Sequence, residues 1–320
     1  MQANLAAQTV ASDMTKQGMA AAIDLGSNSF HILVAYFDVG CVRPIHCWGE
    51  KIKLAEGLVD QGCLSESAKQ RARACIERFA EAIAGVPKDN IRVVGTDALR
   101  RASDSAAFVR EIEQLLGVPV QVVSGEEEAH IIFQGVLAGK KARQQPLVEP
   151  VLIIDIGGGS TELVLGSSTG VLSCASLPLG CVSYSSRFFP QQCSDLVNFE
   201  RSIDALLEHL KPLQSQYASH NWRQAIGTAG TALAIEEVLI ALGWVESGIS
   251  REGLDRLAAT LCQGQAVAAL KLPGLGEERF DIITAGVAIM LAVFIAFDIT
   301  ELETSSDSLR EGLIYSLQPC

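Results

Sequence analysis

Two short runs of this 320-residue sequence bring carboxylate, glycine and hydroxyl residues together at the end of an apolar stretch. The first is Ile23-Asp24-Leu25-Gly26-Ser27-Asn28-Ser29; the second is Ile154-Asp155-Ile156-Gly157-Gly158-Gly159-Ser160-Thr161. Aligned, they share Ile, Asp, Gly and Ser, and each runs on into another apolar stretch. Glycine admits positive φ and close approach, so such a turn can aim consecutive backbone N–H groups at an anion, with neighbouring hydroxyls as further donors. Asp24 and Asp155 cannot hold a phosphate. They suit a hard divalent cation, Mg²⁺ or Mn²⁺, that keeps part of its water shell and shares phosphate oxygens. One such turn reads first as a tight hairpin with a capping aspartate; two matching turns shift the balance to phosphate binding. A strand follows each turn, where a dinucleotide fingerprint or P-loop needs a helix, and no G-x-G-x-x-G occurs.

A third candidate, Gly227-Thr228-Ala229-Gly230-Thr231, opens a predicted helix at 232–242. A helix N-terminus behind small residues can take an anion, although the same residues serve ordinary turns. In Ser124-Gly125-Glu126-Glu127-Glu128, Ser124 and Glu127 have capping-box spacing, and Glu126 suits the first helical turn. Glu128 is left over. It is either a solvated first-turn residue or a base for an attacking water. Glu162, on the outgoing strand of the second hairpin, faces either solvent or a cleft, where it would add a second metal contact. Arg100 follows a strand end and could grip phosphate oxygens, with Arg101 as the surface alternative.

The elements that must position these residues alternate strand and helix. Residues 19–37 read as a β-hairpin, and Ser65 caps a helix with apolar positions Ala68, Ala72, Cys75, Ile76, Phe79 and Ile83. A strand at 91–94, a helix at 103–116 stopped by Gly117, and a strand at 118–123 follow. The pattern then restarts at Val151. The expected organisation is a flexible tail at 1–18, a first lobe at 19–124 with a closing helix at 305–320 packed back on it, and a second lobe at 125–304. The uncharged run 282–297 would span about 24 Å as a helix. That is short of a hydrocarbon core of about 30 Å, so it predicts a buried helix.

The chain is 48% hydrophobic and 19% charged, with a net charge of −12. These values exclude disorder and argue against a nucleic-acid or anionic-membrane partner, which would call for a basic footprint. The nine cysteines form no C-x-x-C pair and fit a reducing compartment. With no apolar leader in the first residues, the expectation is a soluble cytoplasmic protein.

Taken together, Ala22–His31, Leu99-Arg100, Ser124–Ala129, Ile154–Leu163, Pro178–Ser183, Gly227–Thr231 and Leu309-Arg310-Glu311-Gly312-Leu313 resemble the exopolyphosphatase / guanosine pentaphosphate phosphatase (Ppx/GppA) family of the actin-like ATPase superfold. The resemblance implies an α/β protein of two ribonuclease-H-like lobes, each with a five-stranded sheet, and an interlobe active-site cleft. It matches Glu128 to the catalytic base, Asp155 and Glu162 to metal-associated carboxylates, and the turns Gly26–Ser29 and Gly157–Thr161 with Arg100 to phosphate contacts. It also suggests a homodimer. His130 stands where family members often carry arginine. The longer members' additional helical domains have no counterpart before Cys320, which leads us to expect a preference for shorter polymers. The expected reaction is Mg²⁺-dependent hydrolysis of the terminal phosphoanhydride of polyphosphate, with guanosine pentaphosphate as the alternative substrate. The rivals are a non-catalytic sensor of guanosine tetra- or pentaphosphate, and a small-molecule kinase, for which no acceptor motif is seen.

Overall fold

The computed structural model describes residues 18–38, 41–58, 62–218 and 221–317; the predicted tail lies outside them except for Gly18. The chain forms two compact units, one of residues up to Val123 together with Leu309 onward, the other Ser124–Ser308.

In the first unit β1 (Met19–Leu25), β2 (Ser29–Asp38) and β3 (Cys41–Lys51) form an antiparallel meander, and β4 (Ile91–Gly95) and β5 (Gln121–Val122) extend it in parallel beyond β1. The strand order is β3-β2-β1-β4-β5. In the second unit β6 (Val151–Ile156), β7 (Thr161–Ser167) and β8 (Gly170–Leu177) form the meander. A small separate pair joins β9 (Cys193–Asp195) and β12 (Gln263–Ala266). Parallel to β6 runs β10 (Gln224–Thr228), and parallel to β10 runs β13 (Glu301–Ser305). The order β8-β7-β6-β10-β13 repeats that of the first unit, so each unit carries the ribonuclease-H-like arrangement. The second sheet departs from the expected five strands: the two-residue β11 (Ile249–Ser250) pairs antiparallel with β13 and makes a sixth.

Local rules account for most elements. Ser65 Oγ accepts from Ala68 N–H at 3.3 Å and opens the helix Glu66–Ile83, whose buried residues are the six predicted apolar positions. The helix expected from Ser103 begins at Ser105, and Asp104 as its cap residue spends its carboxylate elsewhere, on Leu64 N–H and Lys69 Nζ. Of the strand expected at 118–123, only Gln121 and Val122 pair. Pro119 has no N–H to give a ladder, while Val118 and Val120 turn into the core.

The run at 282–297 forms the helix Ile283–Phe297, buried on nearly every side and closed by Asp298 in the left-handed conformation (φ 55°). No described helix is long and apolar enough to cross a membrane. The expected division at 304/305 lies instead at 308/309, because Glu301–Ser305 is a strand inside the second sheet and Ser308 bonds to Asp155. From Leu309 the chain returns to the first unit, where the helix Leu309–Tyr315 packs on β1, β2 and β3.

Phe294 is fully buried near the C-terminal end of the apolar helix. Phe294→Ala removes a ring that nothing else can replace, and urea unfolding is expected to show a loss of about 3–5 kcal/mol.

Candidate active site

The second sheet carries a row of polar residues at one level. Asp155 on β6 stands directly opposite Glu162 on β7, Glu162 opposite Ser176 on β8, Asp155 beside Thr228 on β10, and Thr228 beside Ser305 on β13. Asp155, Glu162, Thr228 and Ser305 are all buried. The two carboxylates each receive a hydroxyl: Ser308 Oγ donates to Asp155 Oδ2 at 2.7 Å, and Ser176 Oγ to Glu162 Oε1 at 2.7 Å.

Glu128 reaches this row from the helix Gly125–Ala142. Its capping box is complete, with Glu127 N–H bonded to Ser124 Oγ (3.1 Å) and Ser124 N–H to Glu127 Oε2 (2.7 Å). The helix start lies so close to β8 that a Cβ on Gly125 would overlap Ser176, the donor to Glu162. Glu128 is buried and bears on Glu162 electrostatically. Burial, then repulsion from Glu128 and Asp155, pushes the Glu162 pKa well above the carboxylate range, against the hydrogen bonds from Ser176 and Ser160. Burial likewise pushes Asp155 up to about 6, with the Ser308 bond opposing.

This donor set fits a divalent cation. It is all carboxylate oxygen, the hard chemistry that Mg²⁺ and Mn²⁺ prefer, and its unfavourable charge is of the kind a cation would relieve. Asp155 and Glu162 are the residues that would hold such an ion.

The turn between β6 and β7 is held from behind. The carbonyls of Gly157 and Gly158 accept from Cys181 and Val182 N–H, both at 3.0 Å, at the start of the helix Cys181–Phe188. Because a trans peptide sets N–H opposite C=O, the Gly158 and Gly159 N–H groups must point the other way, an arrangement that could cradle an anion. Gly180 permits this contact, since a Cβ there would overlap the Gly158 carbonyl. Two predicted donors are otherwise engaged: Thr161 Oγ1 donates to the Leu179 carbonyl at 2.5 Å, and Ser160 bonds Glu162. Their side chains therefore build the turn, leaving its backbone N–H groups as the donors an anion could meet.

The turn in the first unit has the same build. The Ser27 carbonyl accepts from Ala55 N–H, and the Asn28 carbonyl from Ile52 and Lys53 N–H. Gly26 closes the end of β1, and Ser29 begins β2. Ser27 Oγ accepts from Ala98 N–H at 3.1 Å and so belongs to the scaffold. Asp24 pairs across the strands with His31, whose Nδ1 lies 3.9 Å from its carboxylate. Burial opposes the charge of Arg310, but Glu311, Cys47 and Asp24 outweigh it and raise the Arg310 pKa. Asp24 thus already has cationic company in its own unit. Arg100 gives one guanidinium N–H to the Val123 carbonyl at 3.0 Å, while Arg101 pairs with Asp97.

The third loop differs most from expectation. Gly227 and Thr228 lie within β10, and the helix begins at Ala229, so that Gly230 is inside its first turn. Thr228 Oγ1 donates to the Ser305 and Asp307 carbonyls, and Thr231 Oγ1 to the Ile156 carbonyl. These hydroxyls tie strands together. Ala229 takes φ 60°, rare for a residue with a Cβ, and the Arg279 guanidinium lies against Gly230. A cavity of about 800 Å³ opens at the other ends of β10 and β13, lined in part by Trp222 and Trp244, and shares no residue with the carboxylates.

A model of the Ppx/GppA phosphatase family matches residues 33–319. The chain belongs to this family. Among solved structures it resembles an exopolyphosphatase-like protein at 25% identity, covering 94% of this chain and 98% of the other with a TM-score of 0.82. It also resembles an exopolyphosphatase from Cytophaga hutchinsonii at 24% identity, with coverage of 93% and 97% and a TM-score of 0.81. A third likeness is the Aquifex aeolicus Ppx/GppA enzyme at 23% identity, with coverage of 93% and 99% and a TM-score of 0.75. Within the Ppx/GppA frame, Ser176, Ser308, Gly180 and Arg279 are the site neighbours that sequence spacing does not reveal. Gly180 alone had a signal, as part of the Pro178–Ser183 stretch.

Two outcomes follow. Gly180→Ala is expected to distort the turn and abolish most phosphatase turnover with a smaller loss of stability, checked by phosphate release and thermal unfolding. The second concerns pH. Asp155 keeps its proton up to about 6 when folded, against 3.8 as its ordinary value, so the folded state binds more protons than the unfolded chain across that interval. Stability without divalent metal should therefore fall as pH rises from about 4 to 6, because acid deprotonation is harder in the folded state. Asp155→Asn should flatten that fall and raise the melting temperature at neutral pH by a few degrees, as read in melts from pH 4 to 8.

Proposed function

We propose that this protein is an exopolyphosphatase: it hydrolyses the terminal phosphoanhydride of inorganic polyphosphate and releases orthophosphate. The observation that carries the reading is the buried register of Asp155 opposite Glu162, with Glu128 bearing on Glu162 and the Gly157–Ser160 turn at the end of the same strand. A cation-assisted reaction on an anion would make use of all of these. The likeness to an exopolyphosphatase-like protein supports polyphosphate as the substrate.

In this reading the Gly158 and Gly159 N–H groups take up charge on the terminal phosphoryl group and fix its orientation. Glu128 orients a water for in-line attack and accepts its proton as the new P–O bond forms and the bridging P–O bond breaks. The products are orthophosphate and a chain shorter by one unit. A divalent ion held by Asp155 and Glu162 would neutralise phosphate charge. Ser176 and Ser308 keep the two carboxylates in place. A net charge of −12 gives little long-range attraction for a long polyanion, which favours short chains. The 5′-triphosphate end of guanosine pentaphosphate presents the same anhydride and is the second substrate to test, since the family's name covers both activities.

The test is phosphate release with Mg²⁺ from short polyphosphate, long polyphosphate and guanosine pentaphosphate in parallel. Wild type should turn over short polyphosphate fastest, and Glu128→Ala should lower turnover by about 10²–10⁴ with little change in substrate affinity. Faster release from guanosine pentaphosphate would reassign the substrate. If wild type and Glu128→Ala were equally inactive while guanosine pentaphosphate still bound, the enzyme reading would give way to a sensor.

A further inference from the structure

Beside the carboxylate row lies a cluster of different chemistry. Glu126, His130 and Cys174 each offer one ligand atom, and these atoms lie within 4.8 Å of one another. Glu126 and His130 stand one turn apart on the helix Gly125–Ala142, which places them on one face. Cys174 comes from β8, opposite Val164. The three therefore meet where the helix packs on the strand. The imidazole is held in place: its Nδ1 lies 2.8 Å from the Glu126 carbonyl and 3.9 Å from Cys174 Sγ. The nearness of the glutamate shows also in the thiol, whose pKa is raised by burial and then by Glu126.

We infer that Glu126, His130 and Cys174 form a binding site for a soft or borderline transition-metal ion of the Zn²⁺ class, distinct from the site of the catalytic cation. Thiolate and imidazole select Zn²⁺ or Co²⁺ and are poor ligands for Mg²⁺, whereas the Asp155–Glu162 pair has the reverse preference. Three protein ligands leave one tetrahedral position for water. With metal–ligand distances near 2.0–2.3 Å, the side chains need to close by about 1 Å, a movement within reach of rotatable surface side chains.

The location gives the site a consequence. Side chains two apart on a strand share a face, so Cys174 lies on the same face of β8 as Ser176, the donor to Glu162. Glu126 and His130 flank Glu128 in the sequence. A bound ion would fasten the helix that carries Glu128 to the strand that steadies Glu162. The inference rests on the ligand cluster and stands whether or not the protein is a polyphosphatase.

The experiment titrates the metal-free full chain with Co²⁺ alone and follows the thiolate-to-cobalt charge-transfer absorption. Wild type and Asp155→Asn should both develop the band with one ion per chain. Cys174→Ser should lose it, and His130→Ala and Glu126→Gln should each weaken binding at least about tenfold. Zn²⁺ should displace the cobalt and raise the melting temperature of wild type but not of Cys174→Ser. Glu126 is exposed, so its variant reports on binding even if a change at Cys174 impairs folding. The inference is overturned if wild type gives no thiolate band, if the band persists in Cys174→Ser, or if cobalt binding disappears in Asp155→Asn.

Discussion

Setting Asp155 and Glu162 opposite one another inside a sheet is electrostatically unfavourable, and much of the local structure of the second unit answers to it. Both carboxylates resist ionisation because they are taken out of water, and Glu162 resists it further through repulsion from Glu128 and Asp155. The sheet holds them there because β6 is a central strand, with its register fixed by β7 on one side and β10 on the other. A slip of one residue would turn every side chain of the strand to the opposite face. Ser308 and Ser176 then supply the donors that buried oxygens require. The apolar helix Ile283–Phe297 belongs to the same unit and contributes the burial that keeps such a sheet folded.

The two units use one scaffold for two electrostatic outcomes. Both repeat the strand order, and both hold the turn after their first strand by its carbonyls, which sends N–H groups the other way. They part at the residue across from the aspartate. In the first unit His31 stands opposite Asp24 and Arg310 adds a nearby positive charge, so the aspartate is compensated by protein. In the second the partner is Glu162, and the neighbouring donors are neutral hydroxyls. The same position thus faces basic side chains in one unit and a second carboxylate in the other. A repeat visible in the sequence does not by itself say which copy sets two carboxylates side by side.

Features that depend on neighbours in the chain were legible in the sequence. The Ser65 cap, the Ser124–Glu127 capping box, the Gly117 stop and the two hairpin turns follow rules that act over a few residues. Ser176 and Ser308 were not legible, because only strand register and the return of the chain bring them to Glu162 and Asp155. Thr228 and Thr161 show the converse difficulty. A hydroxyl beside a glycine turn suggests a ligand contact, yet both are bound to carbonyls inside the unit, Thr228 to those of Ser305 and Asp307 and Thr161 to that of Leu179. Donor type can be read from a sequence; whether the donor is already engaged cannot. For the same reason a helix predicted to start at Ala232 begins three residues earlier, where Ala229 takes a left-handed turn that no propensity suggests.

The three consecutive glutamates show how much the geometry of one helix can assign. Successive residues on an α-helix are turned by about 100°, so neighbours cannot share a face. Glu127 closes the cap on Ser124 N–H, and that bond draws its pKa down. Glu126 is turned toward β8 and Cys174. Glu128 is turned inward, where it is buried and its repulsion opposes ionisation of Glu162. The cap fixes where the helix begins, and the contact of Gly125 with Ser176 fixes where that beginning sits on the sheet. With both settled, the rotation of the helix leaves Glu128 as the glutamate of the run that bears on the carboxylate row. A change that shifts the helix start by one residue would therefore exchange these three roles without altering a single carboxylate.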